Sequence, residues 1–111
     1  MNLPVLTIAS SNRRKVSEIS EMLDVLSLKV HKQPDYLNVE ETGNTYFENA
    51  LLKAKAAALE TKTWALGDDS GLEVDILDGR PGIYSARYAK NNAEKIQKLI
   101  NELSDLSLIH I

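Results

Sequence analysis

Hydrophobic and polar positions alternate along the chain in blocks whose period changes. Pro4-Val5-Leu6-Thr7-Ile8-Ala9 is a short apolar run closed by the polar triplet Ser10-Ser11-Asn12, the pattern of a buried strand followed by a turn. Val16, Ile19, Leu23 and Leu26 then recur at spacings of three and four while Glu18, Glu21 and Asp24 stay polar, which predicts an amphipathic helix beginning at the triplet. A second strand is expected over 28–31, and a polar, acidic loop over 34–43. Thr45-Tyr46-Phe47-Glu48 has the form of a capping box, with Glu48 expected to reach back to the Thr45 amide. The Ala- and Leu-rich run that follows predicts a helix to Leu59. Strands are expected at 63–66 and 72–77, with Asp68-Asp69-Ser70-Gly71 as an acidic turn between them. Gly79-Arg80-Pro81-Gly82 predicts a tight irregular loop, and 93–103 a last amphipathic helix. Alternation of strands and helices predicts an α/β layered fold.

Composition narrows the function classes. The 111 residues carry 13 basic and 16 acidic side chains, for a net charge of −3, a balance that argues against a general binder of nucleic acid or anionic membrane. A polyanionic ligand therefore has to be held by local groups. There is no cysteine, so neither disulfides nor a thiolate metal site is available. No apolar run reaches the length of a membrane span and no signal peptide opens the chain, so a cytoplasmic protein is expected.

Three clusters carry candidate chemistry, each with two readings. Ser10, Ser11, Asn12, Arg13, Arg14 and Lys15 follow a strand at a helix N-terminus, where free amides, the helix dipole and basic side chains favour phosphate. The same segment also reads as an ordinary cap with solvated charges, and it lacks the glycines of a Walker loop. Glu40 and Glu41 suit a hard divalent cation, or are a solvated surface pair. Glu48 belongs to the cap rather than to either. Asp68 and Asp69, at the carboxyl end of an apolar segment, suit Mg²⁺ with substrate phosphate and water, or form an Asx-type turn before Gly71.

Taken in order, these blocks resemble the inosine triphosphate pyrophosphatase family, which hydrolyses non-standard purine nucleoside triphosphates. Ala9 to Lys15 looks like its nucleotide loop, and Glu40-Glu41-Thr42-Gly43 with Thr45 and Glu48-Asn49-Ala50 like its second motif. Gly67-Asp68-Asp69-Ser70-Gly71-Leu72-Glu73-Val74 and Gly79-Arg80-Pro81-Gly82-Ile83-Tyr84-Ser85-Ala86-Arg87-Tyr88 look like its most recognisable stretch. Ser11, Tyr46 and Lys90 depart from the residues frequent at those places.

The resemblance implies a central twisted mixed sheet flanked by helices, truncated before the second lobe, with residues 1–105 as the N-terminal part of one domain. The aromatic and glycine-containing segment, the lysine and the Ser-His-Arg-like motif of the family's second half have no counterpart here. Residues 106–111 do not resemble the family, read like a translated sequencing adapter, and are expected to be a non-native tail. The resemblance further implies Mg²⁺ held by Glu40 and Asp69, Asp69 as the proton acceptor for the attacking water, and Ser10, Ser11, Asn12, Arg13, Arg14, Lys15 and Ser70 as substrate contacts. Arg87 is either a substrate contact or part of a structural ion pair. A homodimer is implied for the complete protein. The alternatives are a related septum-inhibitor-like nucleotide pyrophosphatase and a non-catalytic nucleotide-binding fragment.

Overall fold

In the computed structural model, which describes residues 4–69, 73–79, 85–89 and 92–109, the last eight of these as backbone, the elements run β1 (Val5–Ile8), α1 (Arg13–Leu23), β2 (Lys29–Lys32), α2 (Tyr46–Thr61), β3 (Trp64–Asp69), β4 (Glu73–Asp78), β5 (Ser85–Ala89) and α3 (Ala93–Ile109). The five strands form one mixed sheet in the order β2-β1-β3-β4-β5. β1 pairs in parallel with β2 and with β3, whereas β3, β4 and β5 are successively antiparallel. The expected α/β sheet with flanking helices is the one observed. No described helix is long and apolar enough to cross a membrane.

Local chemistry explains where the helices begin and end. Asn12 is extended, and its Oδ1 accepts from the amides of Arg14 (3.0 Å) and Lys15 (3.3 Å), starting α1 where the polar triplet predicted. Leu26 lies beyond the end of α1 but still packs against the same apolar cluster as Ile19 and Leu23. At α2, Thr45 Oγ1 accepts from the Glu48 amide at 3.1 Å, but the Glu48 carboxylate receives the Asn44 amide at 2.6 Å rather than that of Thr45. The return arm of the predicted box thus reaches one residue further back. α2 continues two residues past Leu59 and stops at Lys62, whose left-handed backbone (φ 55°) lets its amide bond the Ala58 carbonyl at 2.8 Å. α3 runs past the expected end at Leu103 to Ile109, since no glycine or proline interrupts 104–109.

Two strand expectations need correction. β3 does not end at Leu66. It runs through Asp68 and Asp69, because β4 supplies ladder partners for both, Asp68 opposite Val74 and Asp69 opposite Glu73. The acidic pair is strand, not turn. β5, Ser-Ala-Arg-Tyr-Ala, was not anticipated at all. It is an edge strand whose side chains are partly exposed, so it lacks the apolar run that marks β1.

The two faces of the sheet are packed differently. Alternate residues of β1, β3 and β4 (Leu6, Ile8, Trp64, Leu66, Val74, Ile76) join Ile19 and Leu23 of α1 and Ile96 and Ile100 of α3 in the main core. On the opposite face Ala9, Ala65 and Leu77 meet Ala54, Ala57 and Ala58 of α2. Here helix and sheet approach so closely that a Cβ on Gly67 would collide with the Ala50 carbonyl, and one on Gly79 with that of Ala58.

Candidate functional site

The chemistry-bearing residues gather where β1 and β3 end and α1 and α2 begin. The loop after β1 places Ser10, Ser11 and Asn12 on the rim of a cleft of about 410 Å³, with Lys15 on the first turn of α1. Its other wall is built by Gln33, Leu37, Asn38, Val39 and Glu41 of the loop after β2, and by Lys53 of α2. Lys15 and Lys53 thus bring two ammonium groups to one cleft, with a single carboxylate, Glu41, among its lining residues. Lys53 Nζ lies 2.8 Å from Glu41 Oε1 and holds that carboxyl below its ordinary pKa, mainly through the hydrogen bond between them.

Two acceptors at the rim are already engaged. Ser10 Oγ accepts from the Asn12 amide at 3.1 Å, and Asn12 Oδ1 serves the helix. What these side chains still offer an incoming oxygen is donor capacity: the Ser10 hydroxyl proton and the Asn12 amide protons. Capping and anion binding are therefore compatible, because they use different atoms of the same residues.

Asp68 and Asp69, as neighbours in a strand, point to opposite faces. Asp68 faces the α1 side, where Lys15 Nζ lies 3.0 Å from its Oδ2; the carboxylate is nearly buried. Lys15 thereby links the cleft to the end of β3. Asp69 faces the α2 side, the side on which the loop residue Leu37 also packs. It too is nearly buried, and it forms an ion pair with Arg87 of β5. Arg87 also pairs with Glu73, and its guanidinium lies 4.3 Å from the ring centre of Phe47 on the first turn of α2. Asp75, directly across the ladder from Arg87, is buried; desolvation, and then the charge of Glu73, push its pKa up to about 6.

A match to the Ham1 family model spans residues 6–108, which takes in every element but the first residue of β1 and the last of α3. The chain belongs to the Ham1 family. It is 56% identical over 101 residues to a dITP/XTP pyrophosphatase of Synechococcus sp. (strain CC9311), covering 91% of this chain and 49% of that protein. The dITP/XTP pyrophosphatase of Synechocystis sp. (strain ATCC 27184 / PCC 6803 / Kazusa) is 45% identical over 105 residues, covering 95% and 54%. This Ham1 chain spans about half the length of the curated relatives it matches. The fold is shared with a Ham1 protein from Coxiella burnetii, with a TM-score of 0.60 at 23% identity over 77% of this chain and 70% of that one.

Set against the Ham1 fold, the sequence-derived candidates separate. Ser10, Ser11, Asn12 and Lys15 line one cleft. Arg13 and Arg14 do not line it: both are exposed on α1, and Arg14 faces Glu18 one turn on at 3.8 Å. Glu40 is exposed and also off the cleft wall, while its neighbour Glu41 is on it. Ser70 lies outside the described residues. Among the described residues no three carboxylate or imidazole groups converge as a metal cage. Sequence reasoning did not name Lys53, and of the glutamate pair it named Glu40 as the metal ligand, whereas Glu41 is the one that lines the cleft. The available signal was Lys53 itself, the first basic residue of an otherwise apolar and alanine-rich stretch following the Glu40-Glu41 motif.

Proposed function

We propose that this chain supplies the triphosphate- and cation-binding wall of a pyrophosphatase that converts non-standard purine nucleoside triphosphates (ITP, XTP, dITP) to the monophosphate and pyrophosphate. The observation that carries the reading is the cleft: two lysines from different elements and the hydroxyl and amide donors of Ser10, Ser11 and Asn12 surround a space of about 410 Å³. Such a wall suits an anion rich in oxygen acceptors. The relatives' names supply the substrate class.

The donor set fits Mg²⁺, which is commonly bound through one or two protein carboxylates together with phosphate oxygens and water, and does not require an all-protein cage. Glu40 and Asp69 are the ligands that the family resemblance implies; the cleft favours Glu41 over Glu40 for the first of these. When bound, the cation supplies charge neutralisation on the phosphates and acidifies a coordinated water. Lys15 and Lys53 hold phosphate oxygens, and Ser10 and Asn12 donate hydrogen bonds to them, with Ser70 as a further donor. The Asp69 carboxylate accepts the proton of the attacking water. Its burial keeps bulk water from competing for that oxygen.

The test is pyrophosphate release from ITP and XTP by a full-length protein containing this chain, with and without Mg²⁺. Asp69→Asn is expected to abolish release, Glu41→Gln to lower it far more than Glu40→Gln, and Lys53→Ala to raise KM. Robust turnover by Asp69→Asn removes the proposed base. Equal losses in the two glutamate variants remove the preference for Glu41. The 111 residues alone are expected to bind triphosphate with little turnover, which is also the outcome that the non-catalytic reading predicts for the full-length protein.

A further inference from the structure

Asp69 is asked to present its carboxylate to a divalent cation, yet in the structure that carboxylate is already neutralised by Arg87. Two cations cannot share one buried carboxylate without repelling each other, so loading the site requires the guanidinium to go elsewhere. The fold holds a place for it. Asp75 stands opposite Arg87 in the β4–β5 ladder, is 1% exposed, and has a hydrogen bond to neither of its oxygens. Its Oδ1 lies 4.0 Å from Arg87 Nε, so a shift of roughly 1 Å brings the two into charge-assisted hydrogen-bond range. A buried carboxylate without a hydrogen-bonded partner is costly, and this one lies beside a cation committed to other acids. Beneath the guanidinium, the Phe47 ring is a flat support that attracts the cation without fixing it to one oxygen.

We propose that Arg87 is the resident counter-ion of Asp69, and that a divalent cation arriving at Asp69 displaces the guanidinium onto Asp75. This rests on the reading of Asp69 as a cation ligand. Arg87 is then a positioning residue: it keeps Asp69 neutralised and oriented before the cation arrives, and retires to the neighbouring strand position when it does. Asp75 is the receiving group, and Glu73, half-exposed on the same face, stays in contact with Arg87 in both arrangements.

Mn²⁺ binding to the chain, followed by electron paramagnetic resonance of free Mn²⁺, reads this without any need for turnover. Arg87→Gln removes the competitor and is expected to tighten Mn²⁺ binding about tenfold, the lower end of what one close charge does to a carboxylate. Asp75→Asn removes the receiving group and is expected to weaken binding several-fold, and in the Arg87→Gln background that effect should vanish. Unchanged or weaker binding by Arg87→Gln, with binding still lost in Asp69→Asn, overturns the displacement and leaves the metal reading standing. If Asp69→Asn binds Mn²⁺ as well as the parent chain, the metal reading fails with it. If the parent chain binds no Mn²⁺, binding gained in Arg87→Gln supports the proposal and continued absence overturns it.

Because a variant can misfold, the same point is checked in the unmodified chain by following the Arg87 Nε–H resonance during a Mg²⁺ titration. It should move in step with the Asp69 carboxyl carbon. A stationary Arg87 signal beside a shifting Asp69 overturns the proposal.

Discussion

The two faces of the sheet solve the same burial problem with opposite materials. Towards α1 and α3 the sheet presents Leu, Ile, Val and Trp64, side chains that hold the helices off at ordinary packing distance. Towards α2 it presents, besides Leu77, alanine and glycine, and the helix backbone itself becomes the packing surface, in contact range of Gly67 and Gly79. The first face buries most of the large apolar area. The second brings the start of α2, with Phe47, against the Arg87 that pairs with Asp69 at the end of β3. Large residues stabilise, whereas small ones let a helix deliver functional groups close to a strand end.

This contrast breaks most severely on the thick face. Trp64→Ala leaves a large void among Leu6, Leu66 and their neighbours and is expected to cost about 3–5 kcal/mol, read as the loss or steep fall of the urea midpoint. On the thin face the harmful change is an addition. Gly67→Ala puts a methyl against the Ala50 carbonyl, and because the obstacle is backbone, α2 itself must shift; about 1–3 kcal/mol is expected in the same titration. If Gly67→Ala is neutral, the close approach of α2 is not what sets the spacing of that face.

The smallest expected effect sharpens the electrostatic side of the contrast. Asp75 has a native pKa of about 6 against an ordinary value of 3.8, so between those values the native state binds more protons than the unfolded chain. Its contribution to stability is therefore greatest at low pH, falls as pH rises through that window, and is level above it. Asp75→Asn should abolish this fall, so the urea midpoint of the variant relative to the parent rises between about pH 4 and pH 7. A constant difference across that range shows that Asp75 is not perturbed.

Much of the thick face was legible from spacing alone. The stripe Val16, Ile19, Leu23 and the run Val5 to Ile8 have patterns that belong to one kind of element each, and Asn12 and Thr45 mark helix starts by side-chain oxygens that accept from amides close by in sequence. The thin face was not legible. An alanine-rich segment reads as helix propensity, and nothing in it says that a glycine of β3 will sit against its backbone. Asp68 and Asp69 read as a turn because acidic pairs seldom occupy strands, and only the ladder to β4 shows otherwise. β5 was invisible for the same reason: its strand character comes from its neighbour. The pairing of Glu41 with Lys53 joins a loop to a helix face, and that of Asp69 with Arg87 joins two strands with β4 between them. Sequence proximity marks neither pair, although the family-like motifs brought Glu41, Asp69 and Arg87 into view.

β3 separates a parallel half of the sheet from an antiparallel half, and this has a consequence for the order in which the chain can fold. The β3-β4-β5 meander closes within residues 64–89, whereas the pairing of Leu6 with Trp64 must first bring together the two ends of a long intervening segment. Loop-closure entropy favours the short connections, so the meander is the natural nucleus and β1 the late arrival. The ladder that joins Asp69, Glu73, Asp75 and Arg87 lies wholly within that nucleus. The acidic strand ends and their arginine are then assembled before the lysine-lined cleft exists, so the proposed cation half of the site precedes, in folding time, the proposed anion half.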